Sequence, residues 1–164
     1  MRIDVRNKQK SLRVKTATVK RLAKHFLSRA NRHVPESPVG SLSVVLVDDR
    51  QIQVLNQQFL GLDEPTDVLS FSYGSTPGEG PERSAEVIVN LERVRQIGDT
   101  HQGYPRELAL YIAHGCNHLT GSDDQVRSDR RRMRQRERRW INQADAAGLL
   151  ADLCETGSGH APAR

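Results

Sequence analysis

A chain of 164 residues has room for one hydrophobic core of ordinary domain size. Apolar residues make up 36% and charged residues 27%, and no apolar run approaches the roughly 20 residues of a membrane span, so no membrane partner is expected. Two cysteines, Cys116 and Cys154, cannot build a disulfide framework, and the opening residues alternate like a strand instead of carrying the apolar stretch of a secretory signal; a cytoplasmic location is expected.

Residues 2–6 alternate as a strand. Residues 16–30 place Val19, Leu22, Ala23, Phe26 and Leu27 at helical spacing, and Pro35, Pro38 and Gly40 end that helix. The apolar run 41–47 reads as a buried strand. It closes on Asp48 and Asp49, of which Asp49 is placed to cap a helix over 50–60 with Ile52, Leu55 and Phe59 on one face. Residues 67–73 are β-like, 75–83 form a Gly- and Pro-rich loop, and 85–90 are another strand. A short helix over 91–98 precedes a longer one over 105–118, whose apolar residues cover most of its circumference and predict a buried helix. A last helix runs over about 127–147. The pattern is α+β, with about four strands and five helices around one core, in one domain over 1–150, with a disordered tail over 151–164.

The chemistry concentrates at the end of the central helix, in His114-Gly115-Cys116-Asn117-His118-Leu119-Thr120-Gly121-Ser122-Asp123-Asp124. Histidines four apart on a helix point the same way, one turn above the other. Gly121 can turn the chain back in a left-handed conformation and bring Asp124 to the pair. Three ligands, His114, His118 and Asp124, would hold one zinc per chain and leave a position open for water, as in a catalytic site. Gly115 stands where an H-E-x-x-H protease carries its glutamate, so this is not that motif. Asp123 is a candidate carboxylate behind a ligand histidine, with turn capping as its alternative reading.

Directly after this motif, residues 127–139 carry eight arginines against Asp129 and Glu137, more than the whole net charge of +5. Guanidinium groups beside a hydrolytic metal suit a polyanionic substrate. Arg131, Arg134 and Arg138 are the candidate contacts to such a polyanion, and a solvated helix face is the plainer reading of the run. Aromatic content of 4% leaves little for base stacking, which argues against sequence-specific reading.

Several separated motifs together resemble the YbeY family, bacterial metal-dependent endoribonucleases and ribosomal RNA maturation factors. They are Leu55-Asn56, then Asp63-x-Pro65-Thr66-Asp67-Val68-Leu69-Ser70-Phe71, Arg106-Glu107-Leu108, His114-Gly115-x-x-His118-Leu119-x-Gly121-x-Asp123, and Met133 with Glu137. The resemblance implies a zinc held by His114, His118 and position 124, a metal helix packed on a small mixed sheet, and cleavage of single-stranded RNA. It further implies a part in 16S-type ribosomal RNA maturation and ribosome quality control, with ribosomal RNA and the small ribosomal subunit as partners.

Two positions depart from the family pattern. Asp124 stands where a third histidine is usual, a shorter, anionic and harder ligand that should make a bound water less acidic. Leu60 stands where an arginine usually follows the aromatic residue at Phe59; Arg106 or the arginines of the last helix are the candidates to replace that cation. Two other functions compete with the endoribonuclease: a non-catalytic RNA-binding assembly factor with a structural zinc, and a metal hydrolase of a non-nucleic-acid substrate.

Overall fold

The computed structural model describes residues 1–75, 77–78, 80–100 and 102–155. Strand β1 (Arg2–Asn7) leads into helix α1 (Thr16–Asn31), then β2 (Val39–Val47), α2 (Asp49–Leu60), β3 (Val68–Tyr73), β4 (Arg83–Asn90), α3 (Leu91–Gly98), α4 (Tyr104–His118) and α5 (Arg127–Ala146). The strands form one sheet in the order β1-β2-β4-β3. β1 and β2 are parallel, as are β2 and β4, while β3 runs antiparallel to β4 along the sheet's edge. The four strands and five helices are those expected from the periodicities, and the mixed sheet is the one the family resemblance implied. Among the described residues no helix is long and apolar enough to cross a membrane.

Alternation along the inner strands divides the apolar residues between the two faces. Leu42, Val44 and Leu46 of β2, with Ala85, Val87 and Val89 of β4, enter the main core, which they share with α1, α3, α4 and α5. Val45, Val47 and Ile88 point the other way and meet Ile52 of α2 and Leu69 of β3 in a smaller cluster. In the main core α4 buries Leu108, Ala109, Tyr111, Ile112, Ala113 and Cys116. Leu108 and Ile112 are fully enclosed, and each contributes roughly 1.5–3 kcal/mol on this scale of burial. This is what makes α4 a rigid mount for whatever projects from its last turn.

Helix α2 corrects one expectation. Asp48, not Asp49, is the cap: its Oδ1 accepts the Gln51 N–H at 2.9 Å, and Gln51 Oε1 accepts the Asp48 N–H at 3.1 Å. Asp49 is the first helical residue, and its Oδ1 accepts from Asn90 Nδ2. Reciprocal bonding with the residue three positions on selects Asp48, because Asp49 has Ile52 there, which cannot complete the pair. Phe59, expected on the inner face of α2, is 55% exposed, and the buried position is Asn56, whose Nδ2 donates to the Glu64 carbonyl and holds the loop before β3.

The domain also extends past residue 150. Leu150, Leu153 and Cys154 are buried, and Cys154 forms an antiparallel bridge with Val14. Residues 151–155 therefore belong to the packed domain, and the rest of the expected tail, 156–164, lies outside the described residues.

Candidate metal centre

The last turn of α4 ends at His118, and Gly121, with φ of 80°, turns the chain back. Only a residue without Cβ adopts that conformation without strain. The turn brings Asp124 over the two rings. His114 Nε2 and His118 Nε2 are 2.9 Å apart, and Asp124 Oδ2 lies 3.8 Å from each. The three ligand atoms share one small space. The triangle has the size needed by an ion bound at about 2.0–2.2 Å to each atom.

The rings are aimed as ligands. His114 Nδ1 lies 2.9 Å from Glu137 Oε1. A carboxylate only accepts, so Nδ1 carries the proton and Nε2 turns its lone pair toward His118 and Asp124. The backbone of Ser122 lies beside the His118 ring and favours its charged form. Two imidazole nitrogens at 2.9 Å without a shared cation or proton would repel each other, so the donor set fits a divalent ion. Burial pulls the His114 pKa down, but the Glu137 hydrogen bond and charge, with Asp124 and Asp67, outweigh it and raise it. His118 is lowered, by burial first and then by the neighbouring His114. Cys116, inside the motif, is buried on the core side with its thiol pushed up to about 12, so it is no ligand.

Glu137 is itself 3% exposed, and a buried carboxylate persists only when its oxygens are bonded. Oε1 also accepts from Asn117 Nδ2 at 2.9 Å. Asn117 Oδ1 in turn accepts from Arg136 Nη1 at 2.9 Å. The chain Arg136, Asn117, Glu137, His114 thus runs from the surface of α5 to a ligand ring on α4. Apart from its match to a family motif, nothing in the sequence assigned Glu137 a part. The available signal was a single acid inside the buried stripe Met133, Glu137, Trp140, Ile141 and Ala144.

The remaining candidates divide. Asp123 is exposed, and its carboxylate accepts the Gln125 N–H at 2.9 Å, so it shapes the turn while Glu137 stands behind the histidine. Arg106 sits near the other end of α4, bonded to Asp145 and Asn142 at 2.8 Å each. Arg134 lines a cavity of about 370 Å³ together with His114, Asp124, Arg130, Met133 and Glu137. Arg131, Arg134 and Arg138 all line an adjoining groove of about 480 Å³, with Arg127 and Arg130. Arg130, not singled out from the sequence, donates through Nε to the Asp124 carbonyl at 2.7 Å and ties the returning loop to α5.

Gly115 is a packing necessity. A Cβ there would stand 2.5 Å from Val87 Cγ1 and 3.2 Å from Ser70 Oγ and Val68 Cγ2. Ser70 Oγ donates to the Gly115 carbonyl at 3.1 Å, so α4 presses on β3 and β4 at this point. No side chain at 115, and hence no glutamate base, fits beside these ligands.

The family model described as Endoribonuclease YbeY matches residues 4–145. "Endoribonuclease YbeY" of Desulfitobacterium hafniense is 33% identical over 137 residues, covering 79% of this chain and 85% of that one. The protein of the same name from Anaeromyxobacter is 36% identical over 126 residues, covering 76% of this chain and 62% of its own length. A Thermotoga maritima protein of known solution structure superposes with a TM-score of 0.58 at 22% identity, over 96% of this chain and 99% of that one, which shows a shared fold. With residues 4–145 of 164 inside the family match, this chain belongs to the Endoribonuclease YbeY family.

Proposed function

We propose that this protein is a zinc-dependent endoribonuclease that cleaves single-stranded RNA during ribosomal RNA maturation in the cytoplasm, with the small ribosomal subunit as its partner. Ribosome quality control belongs to the same reading. The observation that carries it is the meeting of His114, His118 and Asp124 at one point, beside a cavity that His114 and Asp124 line and that shares Arg130 and Arg134 with the arginine groove of α5.

His114 and His118 through Nε2, and Asp124 through its carboxylate, would hold one divalent ion per chain. Such an ion supplies a Lewis acid for a phosphoryl oxygen and lowers the pKa of water. Glu137 fixes the tautomer and direction of the His114 ring. Arg130 sets the position of the loop that delivers Asp124. The arginine groove binds the phosphates of the strand, a charge-based grip that is indifferent to sequence. Asp124 in place of histidine makes the ligand set more anionic and shifts weight onto these cations for neutralising the phosphate.

The test is cleavage of a single-stranded ribosomal RNA fragment by protein of measured metal content, before and after chelation, with a duplex RNA and a peptide amide alongside. Metal-dependent cleavage confined to the single strand is expected. RNA affinity that survives chelation with no cleavage at any protein concentration would replace the enzyme by an assembly factor.

A further inference from the structure

The metal cavity and the arginine groove meet at Arg130 and Arg134. A third hollow, lined by Arg106, Leu110, Glu137 and Arg138, also includes Arg134. Among the described residues Arg134 is the one arginine common to the ligand cavity, the groove and this hollow. Its neighbours are committed elsewhere. Arg106 is held by Asp145 and Asn142, Arg136 by Asn117 and Thr120, and Arg130 spends its Nε on the Asp124 carbonyl. No carboxylate or carbonyl among the described residues engages the Arg134 guanidinium, which is exposed on the same wall as His114 and Asp124.

We propose that Arg134 is a catalytic residue that grips the phosphate being cleaved, while Arg127, Arg131 and Arg138 hold its neighbours along the groove. The proposal rests on the endoribonuclease reading above and gives one named side chain its part in that reaction. Two physical arguments carry it. An unpaired guanidinium offers a planar fork matched to two phosphate oxygens, and its binding needs no existing ion pair to break. Its position then decides its effect. Charge grows on the phosphoryl oxygens as the attacking oxygen arrives, so a donor at the ligand cavity gains strength in the transition state and raises kcat. A donor farther along the groove meets phosphates whose charge does not change, and it acts on binding alone.

The experiment is steady-state cleavage of a labelled single-stranded RNA by the full chain at equal metal occupancy, comparing wild type with Arg134→Gln, Arg134→Lys, Arg134→Ala and Arg131→Gln. Metal content and melting temperature are measured for each. Arg134→Gln is expected to lower kcat by about 100-fold with KM changed by no more than about threefold. Arg134→Lys recovers part of kcat, because it restores charge without the fork. Free guanidinium ion restores part of the activity of Arg134→Ala. Arg131→Gln raises KM instead. Metal content and melting stay as in wild type, because Arg134 is exposed and unbonded. The assignment is overturned if wild type cleaves while Arg134→Gln keeps its kcat, changes only in KM, or loses metal. No cleavage by metal-loaded wild type overturns the endoribonuclease reading itself, and the catalytic role of Arg134 with it.

Discussion

Glu137 Oε1 lies 2.9 Å from His114 Nδ1, joining α5 to α4 through residues 23 apart in sequence. It ties a buried carboxylate to a ring that faces the ligand cavity. Replacing Glu137 by Gln keeps the shape and removes the charge that orients the ring and raises its basicity. Zinc affinity should fall by about 10–100-fold. Glu137→Ala should in addition lower stability by about 1–3 kcal/mol, because Asn117 Nδ2 is left with one of its two acceptors and His114 Nδ1 with no protein acceptor. Competition with a chromophoric chelator reads the first effect and urea unfolding of the metal-free protein the second. Equal affinity in Glu137→Gln and wild type would dissociate the carboxylate from the metal.

The two histidines should account for metal retention. His114→Ala with His118→Ala is expected to purify without metal and to keep most of the fold, since both side chains sit at the rim with 28% and 29% exposure. Elemental analysis and a melting curve check this. Full occupancy in the double variant would place the metal elsewhere.

Asp124 should behave as the third ligand. Asp124→Asn weakens zinc binding, because a neutral amide is a poor ligand, while Asp124→His retains the metal. The returning loop is anchored through the Asp124 carbonyl to Arg130, so neither change of side chain removes its support. Asparagine and wild type competing equally against a chelator would point to a different third ligand.

Gly115→Ala should destabilise the fold by about 1–3 kcal/mol through overpacking against Val87 and Val68. Gly115→Glu, which would create the H-E-x-x-H pattern, should leave little soluble protein. Thermal denaturation of the alanine variant checks the first outcome, and an unchanged melting temperature would show that the sheet yields at this point.

The arginines of α5 should separate by their partners. Replacing Arg127, Arg131 and Arg138 together by Gln should weaken RNA binding for every sequence and reduce the salt dependence by about one unit of slope for each phosphate no longer held. Melting should hardly move, because exposed charges contribute little. Arg136→Gln should behave differently and lose stability, since its guanidinium bonds the fully buried Asn117. Affinity across a salt series with parallel melting curves distinguishes the two groups.

Local pattern was enough to place the elements of this protein, and to bring His114, His118 and Asp124 together. The period of α4 sets His114 above His118, and a glycine two residues past the helix cap lets the chain return with Asp124. Those are relations between near neighbours along the chain, set by helix geometry and one left-handed turn. The arginine block of α5 was equally legible, because charge shows in the sequence wherever it falls. Periodicity says which residues share a face, but not which faces meet. That depended on how α5 rolls against α4, with Met133, Trp140 and Ile141 seated in the core. The same rotation buries Glu137 against His114, commits Arg136 to Asn117, and leaves Arg134 free at the ligand cavity. It also places the carboxylate behind the histidine not at Asp123, a neighbour along the chain, but at Glu137, a neighbour only in space. Packing of side chains against a buried helix decides such relations, since one seating of the core sets the direction of every polar group on the opposite face.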